Sequence, residues 1–468
     1  MNRNKEMFQL FMAALLVVML VVATACSSNS ENTPKSNNNE SDNKINNPSK
    51  EPEVTTSVES DDKITLRFAW WLPEVTDFQK IGEAFTKLHP NVTFEYIGHP
   101  GTAEGGIQII TEAIAAGNPI DAFWHPAMTD LIEHNLIEDL TPYIEKDEEF
   151  KAYPFKPGIN ETFQMDGKQW GLSRGNDVML MFYNKELLKQ YGLEEPKHDW
   201  TWDDFREMAI KATDPEAKHW GLNNSLWFMQ ASNVMPVANG SAPRLWGFNE
   251  DLTKNLADGS VPEVLDDLQF FQDLMIKDNV LLNYARSEAA GVQPETLWQN
   301  GQALFTYTIS PVIPGFKTLP FEWDVAPLPR GTAKQVTFGW NSGMFMAKAT
   351  KHKEMVWEFL KFWAATKEGQ KILMDIGGTF PNSDDPEIVE YFNNVAVYEG
   401  LNKEALNLSA EIVQFDPVLE MYEGAEFDKI TLDMRTEVYQ QEKSAYDYYP
   451  PRIEEFNRKL KEKLDSLQ

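Results

Sequence analysis

Between residues 64 and 71 apolar side chains fall on every second position. Ile64, Leu66, Phe68 and Trp70 alternate with Thr65, Arg67, Ala69 and Trp71. A period of two predicts a strand. From residue 78 the period changes: Phe78, Ile81, Phe85 and Leu88 lie at helical spacing, and His89-Pro90-Asn91 stops the run. Val92, Phe94 and Tyr96 then alternate again. Strand, helix and strand in that order predict two parallel neighbours in an α/β sheet. A second helix is expected over about 106–116, leading to a short apolar segment at 120–124. Thr201 to Asp204 reads as a capping box that opens a helix at 202–211. After Thr350, the positions of Met355, Val356, Phe359, Leu360, Phe362 and Trp363 mark the inner face of a long amphipathic helix. A last, charged amphipathic helix is expected over 453–464, and no internal repeat is present.

The first residues follow a different pattern. Arg3 and Lys5 precede an uncharged run from Met7 to Val22, which ends in Ala23-Thr24-Ala25 before Cys26. A basic start, an apolar stretch and a small-residue cleavage site describe a secretory signal, here residues 1–25. The apolar run is short for a transmembrane span of about 20 residues. Val22-Ala23-Thr24-Ala25-Cys26 resembles the lipobox of bacterial lipoproteins. That resemblance implies cleavage before Cys26, lipid attachment to its thiol and residence on the outer face of the cytoplasmic membrane of a Gram-positive bacterium. Residues 27–62 are rich in Ser, Asn, Glu and Lys, carry Pro34, Pro48 and Pro52, and hold no aromatic residue. Such a segment buries too little apolar surface to offset its ordering entropy and is expected to be a disordered tether. As a flexible coil it would span roughly 30–35 Å root-mean-square.

Composition narrows the function classes. Cys26 is the single cysteine, so no intrachain disulfide can form and stability must come from a hydrophobic core. The roughly 400 remaining residues suffice for two domains of ordinary size. A formal net charge of −30 argues against nucleic acid or anionic lipid as a ligand. The 14 Trp are the other unusual feature.

Several blocks carry a family resemblance. Phe85-Thr86-Lys87-Leu88-His89-Pro90-Asn91-Val92, Ala116-Gly117-Asn118-Pro119-Ile120-Asp121 and Asp139-Leu140-Thr141-Pro142-Tyr143 come first. Asp166-Gly167-Lys168-Gln169-Trp170-Gly171-Leu172, Tyr183-Asn184-Lys185-Glu186-Leu187, Trp200-Thr201-Trp202-Asp203-Asp204-Phe205 and Gly301-Gln302-Ala303-Leu304-Phe305 follow. In this order and spacing they resemble the family 1 extracellular solute-binding proteins, the sugar-capturing components of ABC importers. The chain departs from the pattern where Pro119 comes one position early, where Ser173 replaces the usual proline, and where Pro196 is displaced upstream. The match runs from residue 64 to about 385; the last 80 residues match little. The resemblance implies a two-lobed α/β fold of the type II periplasmic-binding-protein kind, each lobe a mostly parallel sheet flanked by helices, with the ligand in a cleft between lobes. It places crossings between the lobes near Arg174, Trp340 and Asp384. One lobe is then expected at 63–173 plus 343–385 and the other at 174–342 plus 386–468. It further implies a carbohydrate ligand, an ABC permease as partner, a monomer anchored through its lipid, and no cofactor.

A sugar presents flat C–H faces that stack on aromatic rings and hydroxyls that both donate and accept. Each ring covering about 40–60 Å² of apolar sugar surface contributes roughly 1–1.5 kcal/mol at about 25 cal/mol/Å². Candidate contacts therefore combine Trp or Tyr with polar groups at strand ends and loops. They are Trp71 after the first strand, Trp124 and His125 beyond Asp121, and Arg174, Asn176 and Asp177 at the first crossing. Trp227, Trp246 and Tyr307 lie in the second lobe, and Trp340 and Asn341 at the second crossing. The many Trp favour an oligosaccharide. A secreted glycoside hydrolase would need a carboxylate pair at defined separation. The 72 Asp and Glu allow one, but no segment singles it out. Gly339 to Gly343 has its serine at the fourth position, not the third of a nucleophile elbow. The seven His form no ligand-spaced pair, so no metal is expected. A surface adhesin is the remaining alternative.

Overall fold

The computed structural model describes residues 63–71, 78–223 and 232–467. The signal segment, Cys26, the 27–62 stretch and Trp227 lie outside the described residues. Nine strands form one mixed, two-lobed assembly: β1 (Ile64–Trp71), β2 (Val92–His99), β3 (Ala122–Trp124), β4 (Leu172–Asn184), β5 (Trp220–Leu222), β6 (Ala303–Ile309), β7 (Trp323–Ala326), β8 (Thr337–Met346) and β9 (Val413–Phe415). Their order is β2-β1-β3-β8-β4-β6-β5, with β9 on β8 and β7 on β4. β1 pairs in parallel with β2, as the strand–helix–strand pattern predicts, and also with β3. The central pairs β3/β8, β8/β4 and β4/β6 are antiparallel.

Local chemistry sets the helices. α1 (Gln79–Leu88) ends where His89 leaves helical geometry before Pro90. α2 (Ala103–Ala115) starts at Thr102, whose hydroxyl accepts the Gly105 N–H at 3.2 Å. α3 (Trp202–Lys211) carries the predicted capping box between Thr201 and Asp204. α4 spans Pro262–Ile276, α5 Lys353–Ala365, α6 Lys367–Gly377, α7 Gly424–Met434 and α8 Ala445–Ser466. α8 begins eight residues before the expected start, passing through Pro450 and Pro451. Ser444 caps it and Tyr448 and Tyr449 are buried, so tertiary packing outweighs the two missing amide donors. No helix among the described residues is long and apolar enough to cross a membrane.

Each lobe has a core, and a further cluster holding Val178, Phe182, Met374 and Phe380 is shared between them. In the first, Phe68, Trp70, Ile81 and Phe85 pack on Phe359, Leu360 and Trp363 of α5, while Phe123, Met128 and Phe345 gather on the other face of the sheet. In the second, Met179, Met181, Phe205, Phe271, Leu304, Phe305 and Phe456 form the largest cluster. β4 and β8 belong to both lobes. Leu172 of β4 faces Met344 in the first lobe, whereas Met179–Tyr183 pair with β6 in the second. Their register slips between Asn341 and Gly343, so a bulge sits where the strands pass from lobe to lobe. A third connection lies beside them: Phe380 exchanges backbone hydrogen bonds with Asn176 at 2.8 and 2.9 Å, and Asp384 N–H donates to Pro154.

Candidate functional site

Where the strands cross, a cavity of about 290 Å³ opens between the lobes. Its first-lobe wall is the end of β1 with Trp70 and Trp71, the Pro100–Thr102 turn, and the Trp124–Pro126 segment after β3. Its second-lobe wall includes Trp246, Ile309, Asp416 and the inner side of α7 with Asp428 and Thr431. Arg174, Asp177, Trp340, Asn341 and Ser342 form the base. Five Trp thus surround one space, and carboxylates, hydroxyls, an amide and two guanidinium groups alternate with them.

The base is a buried ionic network. Arg174 is 1% exposed; its guanidinium donates to Asp177 at 2.8 Å, to the Ser342 hydroxyl at 3.2 Å and to the Thr379 hydroxyl at 2.9 Å. Ser342 and Thr379 in turn donate to the two Asp177 oxygens, at 2.9 and 3.2 Å. The guanidinium carbon also lies 5.0 Å from the Trp70 ring and 5.1 Å from Phe78. Side chains from all three connections are therefore tied to one cation. Gly175 is required there: its φ is +150°, and a Cβ would lie 2.8 Å from the Phe380 carbonyl oxygen.

The aromatic walls are held from behind. Trp124 stacks on His99 at 5.2 Å with 17° between planes, and His99 bonds the Trp124 carbonyl at 2.8 Å. Trp71 lies against Gly101, where a Cβ would come within 2.6 Å of its ring. Trp246 has φ +61°, a left-handed conformation that a bulky residue adopts at a cost of order 1–3 kcal/mol, and its ring meets Phe427 edge-on at 6.0 Å. Trp340 meets Phe338 edge-on, 4.4 Å between centroids.

Burial shifts the charges of the second-lobe wall. The Asp416 carboxyl is pushed up to about 7 by burial, reinforced by Asp428 and Glu420 and opposed by hydrogen bonds from Val418 N–H and the Trp340 indole. Burial also raises Asp428, which Arg435 and Thr431 counter, and lowers Arg435. Arg435 opens a π-helical turn, Arg435–Gln440, that follows α7.

The structure brings Trp71, Trp124, Arg174, Asp177, Trp246, Trp340 and Asn341 together around the cavity. His125 lines the cavity as well, while two expected contacts, Tyr307 and Asn176, lie outside its lining. His125 backs the cavity but is fully buried, with Nδ1 2.9 Å from the Ala127 carbonyl and Nε2 2.9 Å from that of Ala103. Nε2 thus serves the backbone at the start of α2 and Nδ1 that of Ala127, ahead of the helix Met128–Glu133, and burial lowers the ring to about 4. Tyr307 lies inside β6, a strand buried on both faces, and belongs to the second-lobe core. Asn176 is absent from the cavity lining; its backbone pairs with Phe380 while Asp177, the next residue along the strand, takes the cavity side. Trp70, one position before Trp71 on the first strand, is buried in the core and also lines the cavity. Sequence reasoning missed Thr102, Ser342, Asp416, Asp428, Thr431 and Arg435. Ser342 adjoins a candidate, but the last four lie in the stretch that matches no family block.

The family model described as bacterial extracellular solute-binding protein matches residues 70–371. A binding protein of Brucella abortus is 24% identical over 383 residues, covering 77% of this chain and 84% of that protein. The arabinooligosaccharide-binding protein of Bacillus subtilis is 27% identical over 258 residues, 52% of this chain and 55% of that one. Among solved structures, an ABC substrate-binding protein from Listeria monocytogenes in complex with cycloalternan superposes with a TM-score of 0.71 at 24% identity. That match covers 86% of this chain and all of the other, and it shows the same fold.

Proposed function

Because the chain belongs to the bacterial extracellular solute-binding protein family, we propose that it captures a carbohydrate, an oligosaccharide in particular, by closure of its lobes and delivers it to the permease of an ABC importer. The observation that carries this reading is the cavity between the lobes, where Trp71, Trp124, Trp246 and Trp340 offer stacking faces and Asp, Thr, Ser and Asn groups offer partners to hydroxyls. Ligand contacts are assigned to Trp71, Trp124, Asp177, Trp246, Trp340 and Asn341, with Arg174 holding the base in place. A volume of about 290 Å³ lies at the low end for small-molecule sites, so the cavity suits a short saccharide or the end of a longer one.

A ligand touching both walls stabilises the closed arrangement by its differential affinity for it. The lobes are taken as 63–173 plus 343–385 and 174–342 plus 386–468. The protein acts as a monomer, lipid-anchored through Cys26 after removal of residues 1–25. The family and the similar structures are binding proteins, and we assign no catalysis to this chain. A thermal-shift screen against neutral oligosaccharides tests the reading: a ligand at 100 times its dissociation constant stabilises by about 2.7 kcal/mol. Small-angle scattering at saturation is expected to show compaction. Absence of any carbohydrate ligand, or hydrolysis of the bound glycan, would overturn the proposal.

A further inference from the structure

We propose that Asp416 is a positioning residue that fixes the plane of the Trp340 ring in the cavity. The inference rests on the carbohydrate-binding reading only for what the ring is used for; the positioning stands on geometry alone.

Stacking on a sugar face demands a defined ring plane. Phe338, two residues back on β8, meets Trp340 edge-on, and the ring packs against the second-lobe core; these apolar contacts have no directional hydrogen bond of their own. The second restraint comes from Asp416, whose carboxylate accepts the indole N–H. Asp416 is itself pinned to the strand that carries Trp340. β9 pairs with Thr337–Gly339 of β8, and the Asp416 N–H donates to the Gly339 carbonyl at 3.2 Å. One carboxylate oxygen accepts the Val418 N–H, also at 3.2 Å, capping the short helix Pro417–Leu419. The acceptor therefore moves with β8, and the indole is anchored at both its edge and its N–H.

The electrostatics of Asp416 fit this role. The charged groups facing it are Asp428 and Glu420; Glu420 is paired with Arg244 at 3.0 Å, and Arg435 offsets Asp428. Asp416 forms no ion pair within salt-bridge distance among the described residues, so it is free of a competing cation. Its nearness to neutral pH makes the indole bond titratable: an ionised acceptor holds an N–H about twice as strongly as a neutral one.

Indole-labelled nitrogen-15 NMR of the ligand-free full chain tests this. The Trp340 signal is assigned by its loss in Trp340→Phe. Its N–H proton is expected to move upfield as pH falls from 8 to 6, with a midpoint near that of Asp416. Asp416→Asn keeps an acceptor, so the signal should stay protected from exchange but stop titrating. Asp416→Leu removes the acceptor, and exchange should speed at least tenfold. A Trp340 signal that is unchanged in shift, titration and exchange in both variants would overturn the positioning role. A signal that behaves as expected in a chain that binds no carbohydrate would overturn the proposed function and leave the positioning role intact.

Discussion

Replacing Arg174 by methionine tests the network at the base of the cavity. Methionine fills much of the same volume against Trp70 and Phe78 but offers no charge and no donors. The substitution removes the guanidinium hydrogen bonds to Asp177, Ser342 and Thr379. It also leaves the Asp177 carboxylate, 10% exposed, without its cation. Removing one partner of a buried ion pair costs about 3–5 kcal/mol. Asp177 keeps the Ser342 and Thr379 hydroxyls as donors, which places the expected loss near the lower bound, about 3 kcal/mol. Converting Asp177 to Asn in the same chain removes the stranded charge, and the double variant is expected to recover roughly half of that loss, since an isolated buried carboxylate is the costly species. Urea unfolding followed by fluorescence and circular dichroism measures both. The pair is shielded from solvent, so the loss should change little between 50 and 500 mM salt. Two results would refute the reasoning: an Arg174→Met protein within about 1 kcal/mol of wild type, or a double variant less stable than the single one.

Further outcomes are expected for the site and its surroundings. Trp340→Ala removes a stacking face and should weaken carbohydrate binding beyond tenfold by calorimetry, whereas Asn176→Ala, whose side chain leaves the cavity untouched, should change affinity less than threefold; equal losses would reject the site as drawn. Gly175→Ala meets the Phe380 carbonyl and an unfavourable φ, so it should destabilise by more than 1 kcal/mol in the same urea assay. Asp130 is raised to about 6 by burial, with Glu133 and Glu423 adding to the shift. A carboxylate raised on folding lowers stability as pH climbs from its ordinary value near 4 through 6. Asp130→Asn is therefore expected to be the more stable protein at pH 8, by roughly 1–2 kcal/mol, and to lose that advantage by pH 4; thermal melts across that range check it.

The first-lobe strands were legible because one period governs each. Ile64 to Trp71 alternates, His89-Pro90 breaks a helix, and Thr201 with Asp204 caps one, all through interactions within a few residues. β4 escapes such reading: Leu172–Asn184 is buried along its whole length, so no alternation marks it, and only the resemblance of the flanking blocks located the crossing. Tyr307 misled for the same reason, since an aromatic residue in a doubly buried strand looks in sequence like one facing a cleft. Asp428 and Arg435 reach the cavity through the packing of α7 on the second-lobe core, and Asp416 through the pairing of β9 on β8, contacts between residues far apart in the chain. His125 shows the converse case. Its neighbour Trp124 faces the cavity, but the Ala103 and Ala127 carbonyls claim the two imidazole nitrogens.

β8 carries Trp340 and, two residues on, the bulge at which the strand changes lobes. In the proposed reading, recognition and articulation thus occupy one stretch of backbone. A substitution that reshapes the stacking surface for a different glycan also alters the torsion about which the lobes turn, and a change in hinge stiffness also reorients the ring. The proposed site and hinge make selectivity and opening rate coupled traits. Variants selected for a new sugar at Trp340 should arrive with altered release kinetics, and compensating changes should appear in Asp416 or in the Arg174 network rather than in the distant cores.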